Sequence, residues 1–150
     1  MELLIRAVED KDIGVCFDMT KQMYGDFMAK HGLAMNDKDL MNVVNMFVTK
    51  KQVLVLERAG KVVAMTAWTL SPHMANAKII VYQEVLWCCN SPVKTDAFVM
   101  LRAIEKKAAE LCADIVVLSN LSEMNEERLR RIYKLKGFEY LETHYAKRRI

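Results

Sequence analysis

Two ionisable side chains stand in apolar company where chemistry could use them. Glu84 lies inside KIIVYQEVLWCC, flanked by Tyr82, Val85 and Leu86. A carboxylate in such surroundings loses hydration, which raises its pKa toward the range of a general base. The other reading of Glu84 is a surface residue that alternates outward from its strand. Tyr133 lies four residues before Gly137 in RIYKLKGF. Its phenol, with an ordinary pKa of about 10, can return a proton to a leaving group. It can equally be a helix residue packed on a sheet with its hydroxyl satisfied by protein.

Other reactive side chains form no pattern. Cys16, Cys88, Cys89 and Cys112 show no metal spacing, and adjacent Cys88 and Cys89 would point to opposite faces of a strand. His31, His73 and His144 are scattered, so no metal site is expected. The cysteines read as small core residues in a reducing, cytoplasmic setting. The eleven methionines read as core filler.

Glu84 and Tyr133 belong to what reads as one domain spanning residues 1–150, large enough for a real core. Apolar residues make up 53% and charged residues 27%, as in ordinary globular proteins. The net charge of +3 is too small to argue for nucleic acid. No apolar run is long enough to span a bilayer, and strand character from Leu3 leads to the expectation of no leader peptide. Cations crowd the segment from Arg128 to Lys136 and the triplet Lys147 to Arg149. These read as a solvated face, with an anionic ligand or partner as the alternative.

Leu3 to Val8 predicts a strand. Asp10-Lys11-Asp12 opens a helical pattern that carries Ile13, Phe17, Thr20, Tyr24, Phe27 and Met28 and closes at His31-Gly32. Asn36-Asp37 caps a second helix with Leu40, Val43, Val44 and Phe47 inward. A meander follows: Gln52 to Glu57, a turn at Ala59-Gly60-Lys61, Val62 to Leu70 broken by Ser71-Pro72, and Lys78 to Cys89. A helix from Thr95 to Leu111 buries Phe98, Leu101, Ile104, Ala108 and Leu111. Asp114 to Ser119 is a short strand reached by a parallel crossover. The last helix spans Ser122 to Lys136, with Glu126–Arg130 and Glu127–Arg131 pairs and Gly137 as its stop. Phe138 to Glu142 and Thr143 to Arg149 alternate as a final hairpin.

That order of elements, with Ile5-Arg6-Ala7 before Asp10-Lys11-Asp12 and Ile132-Tyr133-Lys134-Leu135-Lys136-Gly137-Phe138 near the end, resembles the GNAT N-acetyltransferase superfamily over the whole chain. The second motif is similar to the family's Tyr-x-x-x-Gly-Phe stop. The resemblance implies an α+β fold: a mixed, mostly antiparallel sheet of about seven strands with helices on both faces. It implies that the strand ending near Trp87-Cys88 and the strand at Ile115 to Leu118 are parallel and splay apart. The pantetheine arm of acetyl-CoA would then pair with backbone around Leu86 and Cys88. Tyr133 would protonate the departing thiolate, and Glu84 would take the amine proton. Asn125 resembles a family asparagine that contacts the donor arm, but stands one residue earlier than the usual spacing.

The chain departs from the family where the pyrophosphate is held. The family loop reads Arg/Gln-x-x-Gly-x-Gly. Here the aligned stretch is Val93-Lys94-Thr95-Asp96-Ala97-Phe98, without glycine. Glycine permits close approach of backbone to phosphate, and Phe98 adds bulk where that approach occurs. Asp96 in the first turn would satisfy the helix dipole itself and repel a diphosphate. In one reading Thr95 caps the helix and the donor site is lost. In the other, Lys94 and the Thr95 hydroxyl replace the missing contacts and a weaker site survives.

Two functions therefore follow from the resemblance. The leading one is acetyl transfer from acetyl-CoA to a primary amine on a small molecule or protein. The alternative is a catalytically inactive GNAT-fold binding or assembly protein with a protein partner. Glycine-free loops of this sort resemble divergent GNAT-like proteins of short-tailed bacteriophages, some associated with the virion. Either function leaves self-association open, and neither implies a membrane.

Overall fold

The computed structural model describes residues 2–119, 126–142, 144–145 and 147–149. Strand β1 (Leu3–Ala7) is followed by a single 3-10 turn at Asp10–Asp12, α1 (Ile13–Lys30) and α2 (Asp37–Thr49). Then come β2 (Val53–Arg58), β3 (Lys61–His73), β4 (Asn76–Cys89), α3 (Asp96–Glu110), β5 (Ile115–Val117) and α4 (Glu126–Leu135). The strands form one sheet in the order β1-β2-β3-β4-β5. The first four are antiparallel neighbours, and β5 joins β4 in parallel.

Local chemistry explains the boundaries. Asn36 takes hydrogen bonds from the backbone N–H groups of Lys38 and Asp39, so α2 starts on a true side-chain cap. Ala59 and Gly60 both have positive φ, the geometry of a tight two-residue hairpin between β2 and β3. Arg6 on β1 forks onto Asp12 and onto Glu57 of β2, tying the first strand to the turn that launches α1. That guanidinium holds the Asp12 carboxyl below the usual carboxylate range.

Helices cover both faces. Under α1 and α2 lie Cys16, Met19, Met23, Val44, Phe47 and Val48, packed on Val53, Val55, Met65, Ala67, Leu86 and Cys88. Under α3 lie Met100, Ile104 and Ala108, packed on Leu54, Leu56, Trp68, Tyr82 and Trp87, with Leu129 and Tyr133 of α4 against the same cluster. Full burial of an aliphatic side chain in either layer contributes about 1.5–3 kcal/mol.

Several sequence expectations change. On α2, Val43 is exposed and Val48 is buried in its place. Strand β3 does not break at Ser71-Pro72 but runs on to His73, with Pro72 opposite Ile80. Proline is tolerated there because the β2 ladder has ended at Ala67, so no partner on that side needs its N–H. The sheet has five strands among the described residues, against about seven implied by the resemblance. Residues 138–142, expected to begin a final hairpin, form no strand, and Tyr140 and Leu141 are exposed. The start expected for the last helix, Ser122 to Asn125, lies outside the described residues.

Candidate active site

The site begins with a change of parity in β4. Ala67 of β3 faces Leu86, but the next residue, Trp68, faces Glu84. Val85 is thus an extra residue in β4, a β-bulge. Tyr82 lies on the α3 face, whereas Val85 and Leu86 both pack toward α1 and α2, so the bulge switches the face that follows. It also bends the strand. The parallel ladder to β5 ends at Gln83–Val117, while β4 runs on to Cys89. The two strands are parallel neighbours that part company at Glu84, as the resemblance implies.

Side chains take over from the ladder at that point. Ser119, two residues past β5, donates its backbone N–H to Glu84 Oε2 at 3.0 Å and its hydroxyl to the same oxygen at 2.9 Å. The Tyr133 hydroxyl donates to the Ser119 carbonyl at 3.1 Å. Glu84 is 4% exposed. Burial pushes its carboxyl above the ordinary value, and the two Ser119 donors pull it part of the way back. Burial, and then the Glu84 charge, raise the phenols of Tyr24 and Tyr133.

The Gly-Phe stop determines where Tyr133 sits. Gly137 has φ +81°. The Phe138 N–H bonds the Tyr133 carbonyl and the Gly137 N–H bonds the Lys134 carbonyl, which together make a complete Schellman motif. The Tyr133 ring lies 5.9 Å from the Phe138 ring and 5.8 Å from the Trp87 ring. The helix stop therefore fixes both the backbone and the ring that carry the hydroxyl.

The loop after β4 is organised differently from the sequence expectation. Asp96 is fully buried and does not face an incoming anion. Arg58 grips it with two nitrogens, the Nε contact being 2.8 Å, and the Ser91 hydroxyl donates to it as well. The Arg58 guanidinium holds this carboxyl below the usual range. Contrary to the expectation from sequence, Asp96 does not repel a diphosphate, because its charge is compensated inside the protein. Thr95 makes no side-chain cap. Loop donors are spent internally: Val93 N–H on Ser91 Oγ, Asp96 N–H on the Val93 carbonyl, and Phe98 and Val99 N–H on the Thr95 carbonyl. Lys94 is exposed, Ala97 packs against the α3 cluster, and half-buried Phe98 belongs to neither core. The Leu86 and Cys88 side chains are buried toward α1 and α2, which leaves their backbone as the part available at the gap. Burial pushes the Cys88 thiol up to about 11, so it is not a thiolate at neutral pH. Asn125 lies outside the described residues.

No protein-family model matches this sequence, and no curated protein does. Solved structures do match. A predicted acetyltransferase from Clostridium acetobutylicum, determined with acetyl-CoA, has a TM-score of 0.70 at 18% identity, over 98% of this chain and 96% of that one. The aminoglycoside acetyltransferase AAC(6')-Iy, in complex with the bisubstrate analogue CoA-S-monomethyl-acetylneamine, has a TM-score of 0.73 at 11% identity, over 100% of this chain and 99% of that one. A GNAT family acetyltransferase from Staphylococcus aureus has a TM-score of 0.67 at 14% identity, over 99% of each. The chain has the GNAT acetyltransferase fold.

Within the GNAT fold, the structure gathers Glu84 and Tyr133 around a residue that sequence reasoning passed over. Ser119 closes a short strand and carries no motif. The available signal was its position two residues past the β5 core, where a strand that leaves its neighbour exposes polar groups. Arg58 was also missed, because its partner Asp96 is remote in sequence. Among the described residues no helix is long and apolar enough to cross a membrane.

Proposed function

We propose that this protein transfers an acetyl group from acetyl-CoA to a primary amine by direct attack in a ternary complex. The observation that carries the reading is Glu84: a buried carboxylate at the point where β4 and β5 part, whose hydrogen bonds among the described residues fall on one oxygen. Backbone of β4 beyond Gln83 has no β5 ladder partner, and this suits the extended arm of the donor. The loop at residues 93–98 suits the pyrophosphate less well, because many of its donors are engaged.

Acetyl-CoA supplies a thioester carbonyl that an amine can attack. Glu84 takes the proton from the incoming ammonium and leaves a nucleophilic lone pair. A C–N bond forms as the C–S bond breaks. Tyr133, kept protonated by its raised pKa, gives its proton to the departing sulfur once its hydroxyl turns from the Ser119 carbonyl, and the second proton lost by the nitrogen as the amide forms restores the phenol. The buried surroundings of both groups limit water competing with the amine.

The reading is tested by following thiol release from acetyl-CoA with neamine and with a lysine-containing peptide as amines. The expected result is turnover with a primary amine, reduced about 10²–10⁴-fold in Glu84→Gln. Undiminished turnover in that variant would remove Glu84 from the role of base.

A second reading has its own observation. The Arg58–Asp96–Ser91 lock and the internally bonded loop suit a GNAT-fold module that binds a protein partner without catalysis. Failure of acetyl-CoA to bind the intact chain would favour it.

A further inference from the structure

We propose that Ser119 is a positioning residue that ties up one oxygen of Glu84 and leaves the other, Oε1, as the proton acceptor. The inference rests on the acetyl-transfer reading for its purpose, though the geometry is independent of it. Two donors of Ser119, one main-chain and one side-chain, converge on Oε2. A carboxylate oxygen that already accepts two hydrogen bonds is a poorer base than its partner oxygen. Rotation of the carboxylate would break both bonds at once, so its orientation is held as well as its charge. The same residue receives the Tyr133 hydroxyl on its carbonyl, so the candidate base and acid bond the N–H and the C=O of one residue.

This arrangement predicts an asymmetry between the hydroxyl and the main chain. Among the described residues the Ser119 hydroxyl bonds only the base, whereas Tyr133 is held by a carbonyl that any residue would supply. Ionisable groups acting on or responding to Glu84 are Tyr24 from α1, Tyr82 from β4 and Tyr133 from α4. All three phenols are shifted upward and stay neutral across the range in which a carboxyl titrates. Loss of the Ser119 hydroxyl removes a donor to the charged form of Glu84. The carboxyl then takes up its proton at higher pH.

The experiment is a titration followed by NMR of protein carrying ¹³C in its glutamate carboxyls, with the Glu84 signal assigned from its absence in Glu84→Gln. Wild type, Ser119→Ala and Ser119→Thr are compared, each first checked for a native melting transition. Ser119→Ala is expected to move the Glu84 midpoint up by about one pH unit, with Ser119→Thr close to wild type. An unmoved midpoint in the alanine variant, or a threonine variant that behaves like alanine, would overturn the proposal. In turnover the acid limb should follow the NMR midpoint while the alkaline limb stays in place. A shifted NMR midpoint in a protein that binds no acetyl-CoA would support the Ser119 geometry and sink the acetyl-transfer reading alone.

Discussion

Glu84 is held where its charged form is poorly solvated, and this has a sign that can be measured. Its folded pKa lies above the unfolded value because of burial. Its contribution to stability is therefore fully present below the unfolded pKa and is lost as pH rises through the folded pKa. Glu84→Gln removes the charge and keeps an oxygen that can accept from Ser119. The variant should melt higher than wild type at pH 8 and show no such gain at pH 4, by calorimetry at the two pH values. A lower melting temperature at pH 8 would mean that the carboxylate stabilises the fold. Tyr133→Phe is a finer cut. It removes one hydroxyl whose hydrogen bond contributes about 1 kcal/mol, and should lower turnover about 10²-fold while the fold persists. Unchanged turnover would leave Tyr133 with the structural role that its bond to Ser119 already provides.

At the scale of elements, two helix ends do most of the positioning, and they differ in how readily the sequence discloses them. The Tyr-x-x-x-Gly-Phe end of α4 is a local device. Its glycine, its two capping bonds and its ring contact all lie within six residues of chain, so the motif can be read directly. Gly137→Ala meets open space at its Cβ, and its cost is confined to backbone strain at positive φ. That cost is about 1–2 kcal/mol, or a fall in melting temperature of about 2–8 °C, and Tyr133 should lose its alignment with it. The start of α3 is a tertiary device. Asp96 looks in sequence like an exposed helix-start carboxylate, yet its partner Arg58 comes from the far end of β2. No local pattern contains that pairing. Asp96→Gly should therefore leave Arg58 unpaired, lower the melting temperature and give no gain in acetyl-CoA affinity by calorimetry. Tighter binding in that variant would restore the view that Asp96 obstructs the phosphates.

Across the whole molecule, the architecture was legible because it is written in long periodic segments. The meander from β2 to β4 and the crossover to β5 follow from alternation, turn residues and element order. The C-terminal segment was not legible in the same way. Alternation in residues 138–149 resembles a strand pattern, but Tyr140, Leu141 and Tyr145 are exposed rather than set against a sheet face. Arg148 instead donates to the carbonyls of His31 and Gly32, at the C-terminal end of α1. The bulge at Val85 was equally hidden, since a single inserted residue leaves no compositional mark. It is nonetheless what brings Glu84 to the parting of the strands. Melting the intact protein with and without the donor shows whether the gap between β4 and β5 receives acetyl-CoA. At about 100-fold excess over the dissociation constant, binding adds roughly 2.7 kcal/mol, a rise of about 5–10 °C. That rise is expected, and a melting temperature that does not move at millimolar acetyl-CoA would mean that the gap does not hold the donor.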